Sequence, residues 1–179
     1  MLKTKRIYLR KLEREDLERT HDWINRPDIY ISMGTFGPRS KDEQKKWFDE
    51  LISSRTNIVF ALCRVSDDAH IGNLSLFDVN YVNRNAGLTI FIADEENRGD
   101  GIGKEAVQLI CEYAFNYLNM HRVYCKTNNP IAGKMYEQLG FQHEGVRREQ
   151  NFQRGKYVDK QLYGLLRSEL KPVVDTSTD

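Results

Sequence analysis

The chain has 179 residues, of which 40% are hydrophobic and 30% charged, a composition typical of a folded protein and not of a disordered one. Its formal net charge is +1, so the overall charge gives no argument for binding to nucleic acid or to a membrane surface. No apolar run approaches the roughly 20 residues that a membrane-spanning helix needs, and the first residues lack the apolar stretch of a signal peptide. We therefore expect one cytoplasmic domain over residues 1–171 and a disordered tail over residues 172–179.

The cysteines and histidines show no arrangement typical of a metal site. Cys63, Cys111 and Cys125 are odd in number and have no C-x-x-C spacing, and the histidines form no H-x-x-H pattern. We expect free thiols in a reducing compartment and no bound metal.

The residue patterns predict the order β-α-α-β-β-β-α-β-α-β-β, an α+β arrangement on one mixed, mostly antiparallel sheet flanked by helices. Alternating or continuous apolar runs predict strands over residues 5–12, 58–65, 71–79, 88–93, 122–127, 141–151 and 157–166. A 3.6-residue period predicts helices over residues 16–23, 41–52, 102–117 and 130–140. Pro27 is expected to end the first helix and residues 28–39 to form a loop, whereas Ser40 and Glu43 form a capping box that opens the second helix.

The other segments are organised around residues 88–117. A strand that is apolar on both faces is followed by an acidic turn, by the loop Arg98-Gly-Asp-Gly-Ile-Gly103, and then by a helix. Glycines let a ligand approach the backbone closely, and the unpaired N–H groups at a helix start favour a phosphate. The loop is therefore predicted to bind a pyrophosphate.

Two common phosphate-binding loops fit poorly. A P-loop needs Ser or Thr after its Gly-Lys, and this chain has Glu105 there. A dinucleotide fingerprint is formally matched by Gly101, Gly103 and Ala106, but the next apolar run ends near Lys126 and lacks the acid that would hold a ribose. The dinucleotide interpretation remains a remote alternative.

Coenzyme A is the third candidate ligand. The loop from Arg98 to Gly103 resembles the [QR]-x-x-G-x-[GA] signature of the GNAT acetyltransferase superfamily, and residues 129–141 resemble its N-x-x-A-x-x-x-Y-x-x-x-G-F signature at every position. Residues 144–159 are similar to the E-G-x-x-R-E…G-K-Y-x-D ending of the branch that contains ribosomal-protein alanine and spermidine N-acetyltransferases. The resemblance covers roughly residues 4–170 and implies the GNAT fold.

The resemblance implies an acetyl-CoA-dependent N-acetyltransferase that acts by direct attack of a primary amine in a ternary complex. The acceptor would be a protein N-terminus, a polyamine or an amino-sugar, and the branch often forms homodimers. The residues implied to bind the coenzyme are Ile90, Phe91, Ile92, Arg98, Gly99, Asp100, Gly101, Ile102, Gly103, Lys104, Asn129 and Lys134. Those implied to contact the acceptor are Tyr30, Phe36, Tyr81 and Arg84. The spacing between the central strand and Arg98 also predicts a bulge at residues 90–92.

Tyr136 is the candidate catalytic acid. The reaction needs a neutral amine, a donor to the oxyanion and a proton for the departing thiolate. A phenol is protonated at neutral pH, and the family places a tyrosine near the sulfur. The alternative is that Tyr136 only packs in the core. Asn129, likewise, is either a ligand of the pantetheine arm or a plain helix cap.

Two departures from the family pattern leave an alternative open. Many relatives carry a Glu where this chain has Ala86 or Gly87, so the general base is unidentified, and the substitutes considered are Asp78, Glu95, His143, Glu149 and a water chain. Asp100 replaces a Lys or Arg of many relatives and opposes a pyrophosphate unless it faces solvent. The alternative to an enzyme is a non-catalytic acyl-CoA-binding or regulatory module.

Overall fold

The computed structural model describes residues 2–35 and 37–171, so Phe36 and the predicted tail over residues 172–179 lie outside the described residues. The described chain forms one eight-stranded sheet with helices on both faces. The strands are β1 (Leu2–Lys3), β2 (Ile7–Lys11), β3 (Ile58–Arg64), β4 (His70–Asn80), β5 (Asn85–Ile92), β6 (Arg122–Thr127), β7 (Gln142–Gln153) and β8 (Lys156–Leu166).

The sheet is mixed and mostly antiparallel, as predicted. Its strand order is β1-β2-β3-β4-β5-β6-β8-β7, and the β5–β6 pair is its parallel contact. The crossover that joins these two strands carries the helix after the glycine loop, as a parallel connection requires. The central position predicted for β5 from its two apolar faces is confirmed.

The helices are α1 (Leu17–Ile24), α2 (Pro27–Met33), α3 (Lys41–Ser53), α4 (Ile102–Asn116) and α5 (Pro130–Gln138). The capping box of α3 is formed, because Ser40 Oγ accepts from the N–H of Glu43 at 3.1 Å and the Glu43 carboxylate accepts from the N–H of Ser40 at 2.7 Å. Asn129 caps α5, with its Oδ1 accepting from the N–H of Ile131 at 2.9 Å.

Helix α2 corrects the prediction that Pro27 ends a helix and that residues 28–39 form a loop. Pro27 is the first residue of α2, a position where its missing N–H costs no hydrogen bond. Gly34 ends the helix with a left-handed backbone at φ +71°. Pro27 and Gly34 are both visible in the sequence as start and stop signals. The helix is not predicted because seven residues are too few to show a clear 3.6-residue period.

Helices α4 and α5 cover one face of the sheet, and α1 and α3 cover the other. The larger apolar cluster lies under α4 and α5 and includes Leu76, Leu88, Ile110 and Phe141. A smaller cluster under α3 includes Phe48 and other residues. We call the face of the sheet covered by α4 and α5 the α4 face, and the opposite face the α3 face. The candidate site lies between the two faces.

Two further expectations prove wrong. The β4–β5 ladder is regular from Gly72 opposite Ile92 to Phe77 opposite Gly87, so residues 90–92 carry no bulge. The irregularity lies instead near Asp78, whose φ is +50°. Tyr117, which the 3.6-residue period places on the apolar face of the helix predicted over residues 102–117, is 74% exposed, and α4 ends one residue before it.

No helix within the described ranges combines the length and the apolar character that crossing a bilayer requires.

Candidate active site

The site begins where β5 and β6 separate. The residue pairs that join the two strands are Asn85 with Arg122, Ala86 with Val123 and Gly87 with Tyr124. Beyond Gly87, β5 continues along β4 and β6 continues along β8. The backbone groups of residues 88–92 that face β6, which include the predicted Ile90, Phe91 and Ile92, therefore border an open cleft, where a ligand with amide groups can pair with them as an added strand would.

The glycine loop lies at the outer end of this cleft. Gly99 and Gly101 have φ values of +92° and +91°, a left-handed conformation that favours glycine, so the loop needs these residues to turn into α4. A Cβ on Gly103 would lie 3.6 Å from Ile92 Cδ1 and 3.5 Å from Met135 Sδ. The start of α4, the end of β5 and helix α5 thus meet at one point.

The Asp100 carboxylate, which could repel a bound pyrophosphate, is held by two neighbouring groups. Its Oδ1 accepts from the N–H of Ile102 at 3.1 Å, and its Oδ2 lies 3.6 Å from Arg6 Nη1. The carboxylate is thus partly neutralised and caps one N–H at the start of α4. Within the described part of the chain, the N–H groups of Gly103 and Lys104 have no acceptor and remain available to an anion.

Arg98 holds the strand end and does not stand free as a cation. Its Nε donates to the carbonyl of Ile92 at 2.9 Å and its Nη2 to the carbonyl of Ala93 at 2.7 Å. The same Nη2 lies 3.4 Å from Asp28 Oδ2, which links β5 to α2. The arginine of the signature therefore fixes the geometry of the cleft, and contact with the coenzyme stays a prediction for it.

Tyr136 lies at the fork of the cleft. It is 4% exposed, and its ring packs on Phe141 and Tyr163 at centroid distances of 5.2 and 5.8 Å. The thiol of Cys125 lies beside its phenol, and Cys125 is the first residue of β6 beyond the last pair with β5. Burial raises the pKa of Tyr136 well above its ordinary value, so the phenol keeps its proton at neutral pH.

The remaining predicted coenzyme residues are less informative. Asn129 is the helix cap described above, and a role in binding the pantetheine arm stays a prediction. Lys104 is half-buried in the first turn of α4, and Lys134 is exposed on α5. The side chain of Phe91 lies on the α3 face against Trp23, at 6.1 Å between ring centroids, while Ile90 and Ile92 pack on the α4 face.

Two cavities open on the α3 face of the cleft. The first, of about 470 Å³, lies between α3 and strands β3 to β5. The second, of about 800 Å³, lies between α2, the end of the β7–β8 hairpin and the cleft. They share the lining residues Met33, Thr35, Phe77 and Thr89, so together they form one groove that reaches β5 where it leaves β6.

Phe77 lies over Gly87, one of the two positions where many relatives carry the strand Glu. A Cβ on Gly87 would overlap the ring of Phe77, whose Cδ2 would be only 2.8 Å away. The ring occupies the space above Gly87 and stands at 6.0 Å, centroid to centroid, from Tyr124. An aromatic side chain thus fills the position where a carboxylate would project.

The substitute bases are not brought to this groove. Asp78, Glu95, Glu149 and His143 are all exposed, and none of them lines either cavity. Glu50 is the carboxylate that lines the first cavity among the described residues. It was not singled out from the sequence, where it looks like any charged residue on the solvent side of a helix.

The predicted acceptor residues separate into two groups. Tyr30 lines the second cavity. Tyr81 and Arg84 lie in the turn before β5 and line neither cavity; the Tyr81 hydroxyl donates to the carbonyl of Arg55 at 3.2 Å, and Arg84 donates to Asn119 at 2.8 Å. Lys160, which the sequence analysis missed, lines the second cavity and is 4% exposed.

Comparison with known proteins agrees with this geometry. A model of the acetyltransferase (GNAT) domain matches residues 6–142. The chain is 32% identical over 168 residues to the spermidine N(1)-acetyltransferase of Vibrio cholerae, covering 91% of this chain and 94% of that one. A crystal structure of spermidine N-acetyltransferase from Vibrio cholerae in complex with CoA and spermine aligns with a TM-score of 0.88 at 29% identity, covering 93% and 98% of the two chains. A dodecameric structure of that enzyme aligns with a TM-score of 0.80 at 28% identity, covering 92% and 96%.

These matches confirm the resemblance and the fold that the sequence predicted, and they favour the enzyme over the non-catalytic module. The domain model covers most of the chain and includes the glycine loop and Tyr136. The chain belongs to the GNAT acetyltransferase family and is an N-acetyltransferase that uses acetyl-CoA to acetylate a primary amine.

Proposed function

We propose that the chain acetylates a small primary amine by direct attack in a ternary complex, with the donor in the cleft and the amine in the groove. The observation that carries this proposal is the fork between β5 and β6. It has Tyr136 on the α4 face and two cavities on the α3 face, so that donor and acceptor can meet from opposite sides. Holding two reactants in this way accelerates a bimolecular reaction without a covalent enzyme intermediate.

The residues of the cleft fit coenzyme A. The backbone of residues 90–92 would pair with the amides of its pantetheine arm, and the N–H groups of Gly103 and Lys104 would bind its pyrophosphate. Acetyl-CoA, when bound, supplies a thioester whose carbonyl carbon the amine attacks. A backbone N–H of the open edge of β5 would donate to the oxyanion.

Tyr136 would give its proton to the departing thiolate. The phenol is protonated at neutral pH, and burial disfavours a bare thiolate as much as a tyrosinate, so the proton would pass to the sulfur as the C–S bond breaks. Because none of the four side chains considered as bases lines the groove, we propose that the amine loses its proton through a chain of water molecules to the bulk solvent.

The acceptor class is proposed from two sources. The relatives named as spermidine N-acetyltransferases support a polyamine, so polyamines are the first amines to test. Protein N-termini and amino-sugars remain the other candidates. The size of the cavities, about 470 and 800 Å³, favours a small molecule.

The test is the release of free thiol from acetyl-CoA with a panel of primary amines, applied to the wild type and to Tyr136→Phe. We expect Tyr136→Phe to lower kcat by about a hundredfold, as loss of a general acid does, with the Kd of acetyl-CoA unchanged. Tyr157→Phe is the matched control, because Tyr157 is 65% exposed on β8. An unchanged kcat in Tyr136→Phe would refute the role of the phenol. Binding of acetyl-CoA without turnover on any amine would instead favour the regulatory module.

We also propose that the protein acts in the cytoplasm as a homo-oligomer, with residues 1–171 as a single domain. The single sheet that runs from Leu2 to Leu166 supports the domain, and the dodecameric assembly of the Vibrio cholerae enzyme supports self-association. Light scattering after size exclusion would give the assembly size, and a monomer at micromolar concentration would contradict the proposal.

A further inference from the structure

A buried lysine lines the second cavity. Lys160 lies on β8 with 4% of its surface exposed, and its Nζ donates to Asn128 Oδ1 at 3.3 Å. Among residues 2–35 and 37–171, no carboxylate forms an ion pair with it. Since lysine is almost never buried without a partner, the uncompensated ammonium needs an explanation.

The surroundings of Lys160 are cationic and not acidic. In the β6–β8 ladder Lys126 is opposite Leu162, so it lies diagonally across from Lys160 on the same face of the sheet. Arg154, at the tip of the hairpin, also lines the second cavity. The other described lining residues are apolar, hydroxyl or amide side chains, and no Asp or Glu is among them.

Such a cavity is unfavourable for a cation and suited to an anion. Burial, and then the nearby Lys126, lower the pKa of Lys160, because its charged form has little solvation and lies beside a second cation. A carboxylate or phosphate in the cavity would supply that counter-ion through charge-assisted hydrogen bonds. A polyamine would place further positive charge next to two or three cations, with no described carboxylate in that cavity to receive it.

We propose that the acceptor is a small primary amine that also carries a carboxylate or phosphate group, and that Lys160, with Lys126 and Arg154, binds that group. The inference rests on the proposed function and specifies the substrate class of the same groove. The amine would point along the groove to Thr89 and the cleft, while the anion sits at Lys160, between α2 and the hairpin. Lys160 is thus a specificity-determining residue.

The test compares kcat/KM for matched amines with and without an anion. The pairs are glucosamine 6-phosphate with glucosamine and alanine with alaninamide, which separate phosphate from carboxylate as the preferred group, and spermidine is the polycationic comparison. We expect the anionic member of one pair to be favoured by about tenfold or more, and this ratio to fall by about ten- to a hundredfold in Lys160→Met, the loss typical of one charge-assisted hydrogen bond.

Two variants control the result. Lys160→Arg keeps the charge and should keep the ratio within about threefold. If Lys160 acted instead as a neutral base, this variant would lose turnover on all amines. Lys156→Met removes an exposed lysine from the same strand, outside both cavities, and should leave the ratio unchanged. Because replacing an unpaired buried charge with an apolar group seldom destabilises a protein, Lys160→Met is expected to fold.

The outcomes distinguish this inference from the proposed function. A preference for spermidine over both anionic amines, or a ratio that Lys160→Met does not change, would overturn the inference while the acetyltransferase proposal stands. Absence of turnover on every amine would overturn both.

Discussion

Gly87→Ala tests whether the ring of Phe77 occupies the space that a strand side chain would need. The new Cβ would overlap two ring carbons of Phe77 and lie 2.8 Å from a third, whereas carbon atoms pack at about 3.5–4.0 Å. The ring must therefore retreat by about 1 Å or more, and its centroid already stands 6.0 Å from that of Tyr124.

The magnitude follows from two opposing effects. Overpacking of this kind lowers the free energy of unfolding by about 1–3 kcal/mol. The lower conformational entropy of the unfolded alanine chain raises it by about 0.5–1 kcal/mol. We expect the free energy of unfolding to fall by about 1–2 kcal/mol, which corresponds to a decrease in Tm of roughly 2–8 °C for a chain of this length. Urea unfolding and calorimetry measure the two quantities.

Phe77→Ala provides the control through a double-mutant cycle. With the ring removed, Gly87→Ala should be neutral or stabilising, so the coupling energy should reach about 1–3 kcal/mol. Because Phe77 lines both cavities, the single Gly87→Ala variant should also raise the KM of the amine while leaving the Kd of acetyl-CoA unchanged. A Gly87→Ala protein as stable as the wild type, or an additive cycle, would refute the reasoning.

Two further predictions concern charge. Asp100→Ser keeps an oxygen near the N–H of Ile102 but removes the carboxylate. Calorimetry at low salt should then show acetyl-CoA binding about three- to tenfold tighter. The reason is that repulsion from a unit charge roughly 5 Å away in water-like surroundings amounts to about 1 kcal/mol. A change that does not shrink at high salt would contradict this electrostatic origin. Burial, the largest cause, lowers the pKa of His70 below its usual 6.5 despite the neighbouring Asn73 and Asp16. The folded state then binds fewer protons than the unfolded state, and the free energy of unfolding should decrease as the pH falls below about 6.5. His70→Gln should flatten that part of the profile in urea unfolding, and identical profiles for the two proteins would argue against His70 as the source.

The elements of the fold that the sequence predicted well depend on neighbours along the chain. The capping box at Ser40, the Asn129 cap before Pro130 and the strand–loop–helix unit around Gly101 are fixed by spacings of a few residues. Their chemistry is local, because a cap or a positive φ acts on the next turn of backbone. The predictions for the ligand loop and for Tyr136 rest on the same short spacings.

The features that give this site its individual character depend on distant segments. Asp100 is partly neutralised by Arg6 from the turn before β2, Gly87 is covered by Phe77 from β4, and Lys160 loses its solvent only when α2 and the hairpin close the second cavity. No local pattern marks any of them, because a glycine, an aspartate or a lysine looks the same in sequence whatever packs against it. The sequence alone determined the family and the donor and predicted Tyr136 as the acid, whereas the size and charge of the groove were decided by the tertiary structure, since burial and pairing arise only when remote strands and helices come together.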